Sequence, residues 1–139
     1  MIKIFKLTIF ILLISNTLQA KNQYFQDGVS LFKKNKFEKA KFKFEQDIIF
    51  NPKSELSYLY LSKIFKNLDK IDLQEQNLNT VILLNPKNEE AIFILAKLKL
   101  EASDFKRSKE LNERLIALCN KLCREGEKLK IEIENLSKK

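Results

Sequence analysis

Two short stretches, Phe50-Asn51-Pro52-Lys53-Ser54-Glu55 and Leu84-Asn85-Pro86-Lys87-Asn88-Glu89, set the tightest limit on how this chain can fold. Both read apolar-Asn-Pro-Lys-polar-Glu, and their prolines stand 34 residues apart. A fixed period near that length marks an array of helical hairpins, in which stacking of neighbours buries the core that no single hairpin can bury alone. Proline lacks an N–H donor and clashes with the preceding turn, so each stretch ends a helix. It also drives the residue before it, Asn51 or Asn85, out of helical conformation. Elsewhere breakers are scarce. Two glycines and two prolines in 139 residues, among many Lys, Leu, Ile, Glu and Phe, predict an all-α chain.

The same 34-residue step links other positions. Tyr24, Gly28 and Leu31 lead to Tyr58, Ser62 and Phe65, then to Ile92, Ala96 and Lys99. Phe37, Ala40 and Phe44 lead to Ile71, Gln74 and Leu78, then to Phe105, Ser108 and Asn112. This pattern resembles the tetratricopeptide repeat family over about residues 21–120. That family carries aromatic, small and aromatic residues in its first helix, an aromatic, Ala and Phe in its second, and a closing Pro. Gly28, Ser62 and Ala96 are all small, as the close approach of two antiparallel helices requires. Departures are Leu31 for an aromatic, Gln74 for a small residue, Asp47 for Ala, and Lys99 and Asn112 at apolar positions. The last two leave the third unit open to imperfect packing or a one-residue shift of register.

The resemblance implies a right-handed superhelix of three hairpins, with units at about 21–54, 55–88 and 89–120. Helices are predicted at about 22–34, 37–50, 54–67, 71–84, 88–101 and from 104 onward, with Asp104 or Ser103 capping the sixth. No proline closes the third unit; Asn120 stands in its place. Leu111, Leu115, Leu118, Leu122, Leu129, Ile133 and Leu136 form one stripe at helical spacing. The stripe predicts a single long helix over about 104–136, so that residues 121–139 extend or cap the array. The alternative is a break near Asn120 with a separate capping helix.

The first 20 residues have the three-part layout of a secretory signal peptide. A basic start holding Lys3 and Lys6 precedes the apolar run Leu7 to Ile14, and a more polar tail ends at Ala20. Cleavage is expected before Lys21, which places the folded part outside the cytoplasm, periplasmic or membrane-associated. The alternative is an uncleaved anchoring helix, the only contact with a membrane that the chain suggests. The net charge of +8 is spread along the helices as Lys beside Glu, with no basic block. That distribution describes a solvated mixed surface and gives no case for nucleic acid.

Reaction chemistry is sparse. The sequence has no histidine, and its two glycines cannot build a phosphate-binding loop. No catalytic residue, metal ligand or cofactor is expected. Cys119 and Cys123, four apart, are the exception. Three readings stay open for them: small half-buried apolar residues, a disulfide formed after export (within the chain or across a dimer), or a redox-active pair.

Function therefore rests on a surface. In tetratricopeptide arrays the first helices of successive units line a concave groove. By resemblance that groove is lined here by Phe25, Val29, Phe32 and Lys33, then Leu59, Tyr60, Lys63 and Lys66, then Phe93, Ile94 and Lys97. Phe25, Leu59 and Phe93 are themselves 34 apart and should form a ladder, unless neighbouring helices cover them. Co-chaperone members grip a C-terminal carboxylate with lysines and asparagines; the matching places here hold Phe25, Val29, Tyr60, Glu90 and Ile94. The expectation is a non-enzymatic adaptor of the cell envelope that binds a peptide or helix of another protein. The alternative is a structural subunit that dimerises through the long C-terminal helix.

Overall fold

The computed structural model describes residues 23–138, so the expected signal peptide lies outside the described residues. Helix α1 covers 23–33. It is followed by α2 (Phe37–Phe50), α3 (Glu55–Asn67), α4 (Ile71–Leu84), α5 (Glu89–Glu101), α6 (Phe105–Leu118) and α7 (Cys123–Leu136). The helices pack in sequence as antiparallel hairpins, and no strand occurs among the described residues. No described helix is long and apolar enough to cross a membrane.

The 34-residue period governs the backbone as well as the sequence. Helices α2, α4 and α6 begin at Phe37, Ile71 and Phe105; α3, α5 and α7 begin at Glu55, Glu89 and Cys123. The third unit therefore keeps register. Each hairpin turn holds one residue in the left-handed region, Asn35 (φ 55°), Asp69 (φ 53°) and Ser103 (φ 59°). Each turn also closes with an N–H reaching back five residues: Lys36 to Leu31 O, Lys70 to Phe65 O and Asp104 to Lys99 O, at 2.8–3.0 Å. That pair of features is the Schellman ending, which satisfies carbonyls the helix would otherwise leave without donors. Asn88 and Asp104 cap α5 and α6 by accepting from Ala91 N and Arg107 N.

Small residues sit where helices meet. A Cβ built on Gly28 would stand 2.8 Å from the Phe44 ring. Ser62 and Ala96 are fully buried, and the Ser108 hydroxyl donates to the Ala96 carbonyl across the third hairpin. The departures from the repeat pattern have local partners. Asp47 is buried and accepts from Ser57 Oγ at 2.6 Å, tying the first unit to the second. Lys99 reaches Glu75 at 2.5 Å. Asn112, only 2% exposed, donates to the Gly126 carbonyl at 2.9 Å.

One expectation is corrected. There is no single helix over 104–136: α6 stops at Leu118 and α7 starts at Cys123. The break is the alternative near Asn120. Cys119 turns left-handed (φ 34°), whereas Asn51 and Asn85 at the two earlier joints are extended (φ −138° and −136°). The prolines that hold Asn51 and Asn85 extended have no counterpart after Cys119. The break exists because α7 gains by folding back. It buries Leu129 and Ile133 in the cluster that holds Leu111 and Leu115. An overhanging helix would leave both in water, at about 1.5–3 kcal/mol for each side chain. Gly126 lets α7 approach closely, since a Cβ there would meet Ile116 at 3.1 Å.

Candidate functional site

The core divides in two along the array. The first cluster is built on Ala40, Phe44, Leu61, Ile64 and Phe65. Phe25, Val29, Phe32 and Tyr60, all expected in the groove, pack against it. The Tyr60 ring stacks on Phe44 at 4.9 Å and meets Phe32 and Phe25 edge-on at 5.2 and 5.9 Å. Aromatic pairs at these separations add about 0.5–1.5 kcal/mol each beyond their buried area. This end of the surface is thus filled by its own side chains and serves mainly as the joint between the first and second units.

The open concavity lies further along. Leu56, Leu59, Phe93, Ile94 and Leu122 supply its apolar lining, and Lys87, Asn88, Glu89, Glu90, Asn120 and Lys121 its polar lining. Its volume is about 610 Å³. Of the expected residues it brings together Leu59, Phe93 and Ile94. Leu59 is buried, Phe93 and Ile94 are half-buried, and Leu56 is about half exposed. The expected ladder is therefore uneven: Phe25 belongs to the aromatic joint, and Leu59 lies beneath a surface that Phe93 shares. Lys63 is committed, with its Nζ 2.6 Å from Glu90 Oε1 and 5.2 Å above the Tyr60 ring. Lys33, Lys66 and Lys97 are exposed outside the concavity.

The end wall of the concavity is the α6–α7 joint, held in two ways. The first is a disulfide between Cys119 and Cys123, with Cα atoms 4.8 Å apart. The bridge lies within the chain, the form shared by a structural disulfide and by a redox-active pair in its oxidised state. The second is Glu89, whose carboxylate accepts from the N–H groups of Asn120, Lys121 and Leu122 at 2.6, 2.8 and 2.9 Å. Its carboxyl is held below the usual carboxylate range, chiefly by the Lys121 N–H, against the opposing effect of burial and with help from the Asn120 and Leu122 N–H groups. Glu55, 34 residues earlier, does related work at the previous joint, accepting from the side-chain amides of Asn85 and Asn88 at 3.1 and 3.2 Å.

Sequence reasoning missed Leu56, Leu122, Glu89 and the loop 120–122. A signal for Glu89 was present, because both Asn-Pro-Lys stretches end in glutamate. Leu122 was hidden because it fits the helical stripe.

Neither a family model nor a curated protein matches the sequence. Solved structures do resemble the fold. The TPR2B domain of yeast Sti1, in a complex with pHsp70, superposes with a TM-score of 0.77 at 14% identity, covering 85% of this chain and 98% of that one. The type III secretion chaperone SycD of Yersinia enterocolitica, in complex with a peptide of the translocator YopD, gives 0.76 at 16% identity, covering 85% and 94%. The first tetratricopeptide domain of Spaghetti (RPAP3), bound to an HSP90 peptide, gives 0.71 at 18% identity, covering 84% and 94%. With its seven described helices and an unbroken 34-residue backbone period, the chain has the fold of a tetratricopeptide-repeat domain.

Proposed function

We propose that this chain is a non-enzymatic adaptor that seats an extended or helical segment of a partner protein in the concavity between the second unit and the α6–α7 joint. The carrying observation is the 610 Å³ recess with Leu56, Phe93, Ile94 and Leu122 on its surface and Lys87 and Lys121 beside them. Such a recess suits anchoring side chains that are apolar, next to acidic groups. The similar folds of SycD and RPAP3 are described with partner peptides and that of Sti1 in a complex with pHsp70, which supports protein binding as the role. The positions that would grip a terminal carboxylate hold Phe25, Val29, Tyr60, Glu90 and Ile94, so heat-shock protein tails are not the partner we infer.

The place of action follows from the N-terminal segment, which we read as an export signal that sends the adaptor to the cell envelope. N-terminal sequencing of the protein from fractionated cells tests that reading: it predicts a mature start at Lys21, and a cytoplasmic chain that retains Met1 contradicts it. Pairing through one long C-terminal helix, the alternative role, loses its premise because that helix is two.

Phe93→Glu tests the groove. Phe93 is half-buried, so the charge reaches solvent and the helices hold. Captured envelope protein should fall about tenfold or more, the scale of one central anchor, with helicity unchanged by circular dichroism. A folded variant that captures the same protein as well as the parent overturns the proposal.

A further inference from the structure

The α6–α7 joint contains a contradiction between sequence and backbone. The apolar stripe from Leu111 to Leu136 keeps one helical phase through residues 119–122, yet the backbone there is not helical. On an unbroken helix, Cβ atoms four residues apart stand about 5–6 Å from each other. A disulfide needs its Cβ atoms within about 3.5–4.5 Å. The Cys119–Cys123 bridge and the continuous helix therefore exclude each other. Cys119 is also left-handed without being glycine, a conformation that its surroundings must impose. The N–H groups of Asn120, Lys121 and Leu122 have an alternative set of acceptors one turn back, the carbonyls of Ile116, Ala117 and Leu118. In the bridged chain they bind Glu89 instead.

We propose that the Cys119–Cys123 disulfide is a redox-controlled latch that holds the 120–122 loop on Glu89 and so fixes the end wall of the groove. Cys119 is exposed, so a dithiol can reach it. A thiolate of the dithiol attacks one sulfur, the S–S bond breaks, and a mixed disulfide forms. The second thiol of the reagent then displaces the protein sulfur. Two electrons and two protons pass to the protein, which leaves as two cysteine thiols, and the dithiol leaves as its disulfide. With the bridge open, the loop leaves its seat on Glu89 more often, passing through frayed forms in which the Asn120, Lys121 and Leu122 amides meet water. Buried Leu129 and Ile133 draw α7 back each time, so the opening stays local. The consequence for binding rests on the groove reading; the opening itself does not.

Amide hydrogen exchange on the full chain, oxidised and in dithiothreitol, tests the latch independently of any partner. Reduction should lower protection of the Asn120, Lys121 and Leu122 amides by about tenfold or more, while amides in α2 and α4 keep theirs. The Cys119→Ser, Cys123→Ser double variant should match the reduced protein. Loop protection that changes by less than about twofold overturns the proposal. So does a loss spread equally over every helix, which would make the bridge a staple of the whole fold. A double variant that protects the loop like the oxidised parent overturns it as well.

Discussion

At the scale of single residues, two side-chain positions decide most. Gly28 faces Phe44, and Phe44 is held from behind by its stacking on Tyr60. Gly28→Ala gains about 1 kcal/mol in helix propensity. It also forces a methyl into a ring that has nowhere to go, and overpacking of this kind costs about 1–3 kcal/mol. The expected net result is a lower melting temperature, read by calorimetry. Glu89 carries a different signature. Its folded pKa lies below its unfolded one, so its contribution to stability is complete above the ordinary carboxylate range. That contribution is lost as pH falls through the depressed folded value. Glu89→Gln should therefore melt below the parent at neutral pH, with the gap narrowing as acid protonates the parent's carboxyl. A gap independent of pH would show that the charge on Glu89 does nothing at the joint.

Among the elements, the two kinds of turn behave differently. Turns within hairpins repeat closely, each with a left-handed residue at Asn35, Asp69 or Ser103. Joints that follow the hairpins do not: the first two are set by proline, and the third, leading to α7, by a disulfide and a carboxylate. Asn120→Pro writes the missing proline into the third joint. It removes the N–H that Asn120 gives to Glu89 and disfavours the helical side of Cys119's conformational space. A buried group stripped of its donor typically costs about 1–3 kcal/mol. The variant should melt below the parent, and a gain in stability would mean that the joint tolerates the extended form. Much of the helical layout was legible in the sequence, because a 34-residue period in prolines, aromatics and small residues fixes where helices start. The break at 119–122 was not legible. Its cause is tertiary: Leu129 and Ile133 find a core only if α7 turns back, and a stripe read along the chain carries no information about that choice.

For the whole molecule, the array is closed at one end by an aromatic joint and at the other by α7, and the open recess lies between. Only part of that site was readable in advance. Leu59, Phe93 and Ile94 followed from the repeat, while Tyr60 and Phe25 were drawn into packing between units by their mutual ring contacts. The position of the recess depends on the loop 120–122, whose course the stripe concealed. The claim that binding occurs on this concave side, and not on the outer one, admits a direct measurement. A photo-crosslinking residue is placed in vivo at Leu56, in the recess, and separately at Leu83, which is 81% exposed and lies outside it. The account predicts a discrete adduct with one partner protein from position 56, lost in the Phe93→Glu background, and none from position 83. An adduct with that partner from position 83 alone, or one from position 56 that persists when Phe93 carries a charge, would contradict it.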